Sequence, residues 1–495
     1  MNNFKNFIVL LLCAAMLVPM LAACGEKQGE TDEPEIKTQY TKIETAIPDE
    51  LMFEGEKFNI LCREDNAYGT YLYEIVADEN ETELVNQAIY NRNLAVEERF
   101  GLEINAIDIP GDWDRGDDFT NTFKNSIMSG SQDYDLIVSQ QAYMAEPGLN
   151  EFYLNIYEVP YISEDLDQPY IFSDMVDEMT VNGKLFHLVG DYSLTYWEYL
   201  YVLYFNKQLA ENENLEDIYQ VVRDGKWTID KCIEMAKGVF RDLDGNGWAG
   251  ENDQFGYITD YGTTVEALFA QFDMPLSSMD ENGQVVLSID VGKTVSVLEK
   301  MIEFFKTDDV FTYHVTSSDT EEESPFTPIF TEDRALFYAD TLNKAQKYRG
   351  METDFGIIPY PMWDENQSGY YTMAMDGYSV AVVPLDAPDL EKTGAVIDLL
   401  SAISYEKVVP AYYELALKGK YARDNESAEM LDIIREGVKV NFGYFYHCDI
   451  DTGRFMRVLL EDENSNFSSY YAANKKGYER NLKKILATYE DKDDE

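Results

Sequence analysis

Lys57-Phe58-Asn59-Ile60-Leu61-Cys62 opens the alternation of segments that decides the fold class. It reads as a short strand. Leu84, Val85, Ala88, Ile89, Ala95, Val96 and Phe100 then recur at helical spacing, so a helix is predicted over about 81–100, with Asn80 and Glu83 as its start signal. Leu102-Glu103-Ile104-Asn105-Ala106-Ile107 is the next strand, 118–129 the next helix, and Tyr134-Asp135-Leu136-Ile137-Val138 a third strand. Strands alternating with helices imply an α/β fold, with a parallel or mixed sheet covered on both faces.

The pattern continues toward the C-terminus. Val181-Asn182-Gly183-Lys184 reads as a hairpin turn, because Asn-Gly tolerates the positive φ angles of a type I′ turn. Tyr199-Leu200-Tyr201-Val202-Leu203-Tyr204-Phe205 is a strand, and a helix begins after Thr228, burying Ile229, Cys232, Ile233, Ala236 and Phe240. A helical stretch over 291–306 precedes strands near 335–339, 355–358 and 378–383. Helices follow near 391–404, 406–416, 426–437 and 468–489.

Upstream, residues 1–23 hold one charged side chain, Lys5, followed by an apolar run that leads to Leu21-Ala22-Ala23-Cys24. A charged start, an apolar middle and a small-residue cleavage site make a secretory signal. The alternative is an uncleaved anchor, since the run approaches the ~20 apolar residues of a membrane span; Pro19 and the small pair before Cys24 argue against it. The segment resembles bacterial lipoprotein signals, which implies that Cys24 becomes the first mature residue and carries lipid, with the protein at the outer face of the cell membrane. Residues 24–55 are rich in Glu, Thr, Lys and Pro without apolar periodicity, and read as a flexible tether.

Composition narrows the partners. With 45% apolar residues and 14% aromatics, the chain can bury a sizeable core. Its 93 acidic and 39 basic residues give a net charge of −54, which repels phosphate backbones and anionic lipid and argues against nucleic-acid binding. After Cys13 and Cys24, the cysteines left are Cys62, Cys232 and Cys448, an odd and widely spaced set that reads as free thiols. With only His187, His314 and His447, a histidine-rich metal site is not expected.

Several blocks, in order, resemble the carbohydrate-binding, maltodextrin-binding-like solute receptors of bacterial ABC importers. They are Asn91-Arg92-Asn93 with Val96-Glu97-Glu98-Arg99-Phe100, Tyr134-Asp135-Leu136-Ile137, Asn182-Gly183-Lys184-Leu185 and Tyr204-Phe205-Asn206-Lys207. Asp224-Gly225-Lys226-Trp227-Thr228 is the most characteristic, followed by Phe330 to Phe337 and Phe355-Gly356-Ile357-Ile358-Pro359-Tyr360-Pro361. The resemblance implies two α/β lobes of the periplasmic-binding-protein kind, joined by hinge crossings, with ligand in the cleft. Carried over, the first lobe takes 56–192 and 336–392, and the second 198–330 and 396–485. The crossings fall near Gly190 to Tyr199 and near Leu336 to Thr341. It further implies a monomer that binds an oligosaccharide and delivers it to a membrane permease.

Sugars offer hydroxyls, which carboxylates and amides meet, and apolar ring faces, which aromatic rings meet. Loops with that chemistry where the resemblance places the cleft contain Tyr68, Gln140, Gln141, Tyr143, Tyr196, Trp197, Tyr199, Asp340, Thr341, Tyr371 and Asp376. Among 36 tyrosines, some such rings simply pack.

A second candidate site is the stretch from Asp242 to Asp253. It has the spacing of a calcium loop: side-chain oxygens from Asp242, Asp244 and Asn246, Gly247 at the sixth position, the Trp248 carbonyl at the seventh and Asp253 at the twelfth. Asp253 stands where Glu is usual, which shortens its reach. The competing reading is an Asp/Asn/Gly turn without metal.

Rival classes are an anchored glycoside hydrolase and a glycan-binding adhesion protein. Carboxylate pairs are uninformative among 93 acids. Gly292-Lys293-Thr294 imitates part of a phosphate loop, but Leu287 occupies its first glycine position. Neither H-E-x-x-H nor G-x-S-x-G occurs, so the sequence favours a non-enzymatic receptor.

Overall fold

The computed structural model describes residues 42–64, 74–80, 82–262, 264–314, 324–348, 350–413, 417 and 424–490. The signal segment, Cys24 and Tyr68 lie outside the described residues. No helix among the described residues is long and apolar enough to cross a membrane.

In chain order the strands are β1 (Lys57–Arg63), β2 (Glu103–Ile109), β3 (Leu136–Gln140), β4 (Tyr201–Asn206), β5 (Phe255–Asp260), β6 (Ser277–Met279), β7 (Val285–Leu287), β8 (Val310–Tyr313), β9 (Ala335–Thr341), β10 (Phe355–Ile358) and β11 (Ser379–Val382). They form one sheet of order β11-β3-β1-β2, a second of order β10-β4-β9-β5-β8, and a β6-β7 ribbon. β1 runs parallel to β2 and β3, placing Leu61 opposite Ile107 and Ile137. Parallel neighbours need crossover connections, and helices Leu84–Phe100 and Gly116–Ser129 supply them. The first of these starts at Leu84, later than expected. Asn80 is used in a local turn, donating to Asp78 Oδ1 at 2.8 Å, and Glu83 gives no side-chain cap.

Each sheet anchors one lobe, and the pairing corrects the lobe boundaries. β9 was expected at a crossing into the first lobe. It is instead the middle strand of the second sheet, antiparallel to β4 and parallel to β5. Its Ala335, Leu336 and Phe337 are fully buried, as suits a strand paired on both sides. β10 also pairs with β4, so residues 335–358 belong to the second lobe. The chain re-enters the first sheet at β11. Helix Leu390–Ile403 stays with that sheet, because buried Lys392 meets Asp135 at 3.3 Å and Glu56 at 3.0 Å. Residues 396–403 are therefore first-lobe residues. The helix runs into a π-helical turn at Ser404–Val408, where Ser404 Oγ accepts from Arg92.

The tether is also shorter than expected. Ile47 and Phe53 are buried, Phe53 packs on Phe100 at 5.6 Å, and the Ala46 N–H donates to Asp165 Oδ2 at 3.1 Å. Two apolar side chains and an acidic anchor hold residues 42–55 against the first lobe.

Other local readings stand. Asn182 and Gly183 have φ of 52° and 74°, with Val181 bridged to Lys184. Thr228 Oγ1 caps helix Ile229–Ala236 by accepting from Lys231 N. Trp227 is fully buried and donates to Pro359 O at 3.0 Å, so two distant blocks of the sequence meet in space. Cys62, Cys232 and Cys448 are free.

Candidate functional site

The chain passes between lobes here along two adjacent extended segments; after Ser404–Val408 it is again on the second lobe at helix Asn425–Glu436, where Ser427 Oγ accepts from Ile357 N of β10. Leu200 faces Ala374 in an antiparallel bridge, with Tyr201 N donating to Met373 O at 3.1 Å and Met375 N to Tyr199 O at 2.9 Å. The first crossing thus lies where it was expected. The second lies at Met373–Met375 rather than at Leu336–Thr341. Just before the first crossing, buried Asp191 accepts from Trp197 Nε1 at 3.0 Å. Burial pushes Asp191 up to about 7 against the pull of Trp197 and Arg435. Burial, reinforced by Glu74, pushes Glu198 up to about 8.

Beside these crossings lies a cavity of about 90 Å³. Met175 contributes from the first lobe, Tyr196 and Tyr378 from the segments flanking the crossings, and Phe269, Met274 and Leu276 from the second lobe. Met373 and Ala374 form its floor on the crossing itself. Tyr444 and Phe445 close it from helix Phe442–Phe445. Both lobes therefore wall one space.

Of the residues singled out in the sequence, Tyr196 lines this cavity, its ring 5.0 Å from Tyr378. Tyr199 belongs to the crossing next to it. Gln141 reaches the back of the wall: its Nε2 donates to Phe445 O at 2.5 Å, while its buried Oε1 has no hydrogen-bond partner. Gln140 ends β3, and the hydroxyl of Tyr143 bonds Ser139 and Gly111 O within the first lobe. Trp197 turns away from the cavity, under Arg435 at 4.7 Å. Asp340 accepts from the Tyr338 hydroxyl and Thr341 N, and the Thr341 carbonyl accepts from Tyr204 at 2.9 Å. Both sit in the second sheet, among its packed rings. Tyr371 carries Lys439 over its face at 4.1 Å, and Lys439 stands at the cavity's edge.

Asp376 lies in a buried ionic network behind the wall. Its Oδ2 is 3.1 Å from His447 Nε2. Burial would lower the His447 value, but the bonds to Asp376 and Cys448 and the charge of Glu266 together outweigh it and hold the imidazole well above the usual histidine range. Burial would likewise raise Asp376, and the bond to and charge of His447, with the charge of Arg457, together hold it low instead. Glu266 pairs with Arg457 at 2.5 Å and accepts from Tyr444 Oη at 3.0 Å. Burial outweighs Arg457 there, so Glu266 is raised despite its cation. The His447 ring stacks on Tyr444 at 4.7 Å and 13°. Tyr444 is thus held by its hydroxyl and one face.

The sequence reading missed Met175, Phe269, Met274, Met373, Tyr378 and Tyr444. The run Phe442-Gly443-Tyr444-Phe445-Tyr446 was the visible signal, but in a chain with 36 tyrosines it did not stand out.

The Asp242–Asp253 loop brings carboxylate oxygens of Asp242, Asp244 and Asp253 within 4.8 Å of one another. Asp242 accepts from Gly245 N and Gly247 N, Asn246 Oδ1 from Trp248 N, and buried Asp253 from Leu243 N and Gly250 N. Hard oxygens gathered this way suit a calcium ion. The Trp248 side chain is exposed.

No protein-family model and no curated protein sequence matches the chain. Solved structures do. The galacto-N-biose/lacto-N-biose I-binding protein of an ABC transporter from Bifidobacterium longum, with lacto-N-biose, aligns with a TM-score of 0.57 at 11% identity, over 88% of this chain and 98% of that one. An ABC substrate-binding protein from Listeria monocytogenes with cycloalternan gives 0.53 at 11%, over 88% and 99%. The fold is that of two-lobed periplasmic binding proteins. A de novo designed esterase also aligns, with a TM-score of 0.55 at 14% identity over 87% and 99%, so this likeness assigns no reaction by itself.

Proposed function

We propose that this protein is a lipid-anchored receptor at the outer face of the cell membrane, capturing a carbohydrate between its lobes and passing it to an ABC permease. The observation that carries the reading is the cavity beside the crossings, walled by both lobes. A ligand there touches both, so it favours the closed arrangement by its differential affinity. The saccharides held by proteins of similar fold support a sugar as the ligand class. The cavity is small for an oligosaccharide, so only part of the ligand enters it. No bond of the ligand is made or broken, and the protein works as a monomer.

Cys24 carries the lipid, palmitate among its acyl chains, and anchoring raises the receptor's concentration near its permease. Calcium in the Asp242–Asp253 loop is structural: it stiffens the turn between helix Ile229–Ala236 and β5, and no residue of the loop lines the cavity. Titration calorimetry against a panel of oligosaccharides tests the function. Saturable binding with the glycan recovered intact is the expected result, and cleavage of the glycan by pure protein overturns it. Labelled palmitate should enter the wild-type chain and not Cys24→Ser.

A further inference from the structure

The cavity's lining is not what a bare sugar requires. Hydroxyls need donors and acceptors, yet the inner wall is mostly Met175, Met274, Met373, Phe269 and Leu276, with the Tyr196 and Tyr378 hydroxyls as its polar side-chain groups. Its charged groups, Asp273 and Lys439, are exposed at the edge. Asn441 is already committed, accepting from Leu276 N and Ser277 N and donating to Ser277 O. A sugar hydroxyl driven among the three methionines would lose its water without replacement.

Resting on the carbohydrate reading above, we propose that this cavity seats a small apolar substituent of the saccharide, an acetyl group. The sugar ring stays at the edge, between Asp273 and Lys439. Size and chemistry both point there. An apolar cavity of roughly 150 Å³ accepts benzene and stays dry when empty. The space here is about 90 Å³, which suits a group smaller than a phenyl ring. Three methionines supply polarizable, adaptable walls. Tyr444 does not yield in the same way, because Glu266 holds its hydroxyl and His447 its face. The cavity therefore selects for a substituent and against a large one.

The test uses the full mature chain and calorimetry with xylo-, manno- and gluco-oligosaccharides. Each is supplied acetylated, alkali-deacetylated and benzoylated. At least one acetylated sugar should bind about tenfold or more tighter than its deacetylated parent, the size of effect one group contributes in an apolar pocket. The benzoylated form should show no such gain. Met274→Phe, which fills the space, should bring the acetylated-to-deacetylated ratio toward one. Ala270→Val is the milder variant should Met274→Phe not fold. Equal affinity for acetylated and deacetylated sugars overturns this inference and leaves the receptor reading standing. Binding of none of these sugars overturns both.

Discussion

Leu200 and Ala374 face each other across an antiparallel bridge where two of the chain's passages between the lobes run side by side. These two passages form a paired ribbon, not two independent linkers. Hinges absorb backbone rotation over a few residues, and pairing two crossings couples their rotations. The candidate cavity opens beside this ribbon, with Met373 and Ala374 in both.

Met375→Pro should loosen that ribbon. It removes the N–H that donates to Tyr199 O at 2.9 Å, and a buried carbonyl left unpaired costs about 1–3 kcal/mol. Urea unfolding should report that loss, and small-angle scattering should show weaker ligand-linked compaction. Met375→Leu keeps the N–H and should behave as wild type.

Lys392→Met should be among the most destabilising single changes. Lys392 is buried beside Asp135 at 3.3 Å, and Asp135 is itself buried. Burial already raises the Asp135 carboxyl, with Asn59 and Lys392 holding it back. Removing the cation strands that charge, for a loss of roughly 3–5 kcal/mol. Adding Asp135→Leu should recover much of it; equal midpoints for single and double variants would contradict the pairing.

Asp398 predicts a pH dependence. Tyr170 donates to its Oδ1 at 2.6 Å, its Oδ2 has no hydrogen-bond partner, and burial pushes its carboxyl up to about 7. The native state therefore holds this proton more tightly than the unfolded chain, where the value is about 3.9. Its contribution to stability is full below about pH 4 and is lost as pH rises toward 7, at up to about 1.4 kcal/mol per pH unit. Asp398→Asn should flatten that part of the profile in urea unfolding between pH 4.5 and 7. An unchanged slope would count against it.

Chelation tests the calcium proposal. An ion bound at 100 times its dissociation constant stabilises by about 2.7 kcal/mol, so a chelator should lower Tm by a few degrees. Asp242→Asn with Asp244→Asn should lower Tm similarly and abolish the chelator effect. A chelator without effect on wild type would mean a turn without metal.

Local features were readable from the residues alone. The strands β1 to β3, the helices between them, the Asn182-Gly183 turn and the Thr228 cap each depend on neighbours within a few positions. Periodicity and φ preference act at that range.

The lobe to which a segment belongs was another matter. Ala335 to Thr341 reads as a strand from its own residues, but its place between β4 and β5 comes from hydrogen bonds to segments about 80 and 135 positions earlier. The site followed the same rule. Asp340 and Trp197 have the right chemistry and are hydrogen-bonded to Thr341 N and Asp191, outside the cavity lining, whereas Tyr444 became a cavity wall because Glu266 and His447 hold it there. The sequence determined which elements form, since their causes are local. Tertiary pairing decided which of them face one another, because burial and partner choice are properties of the assembled chain.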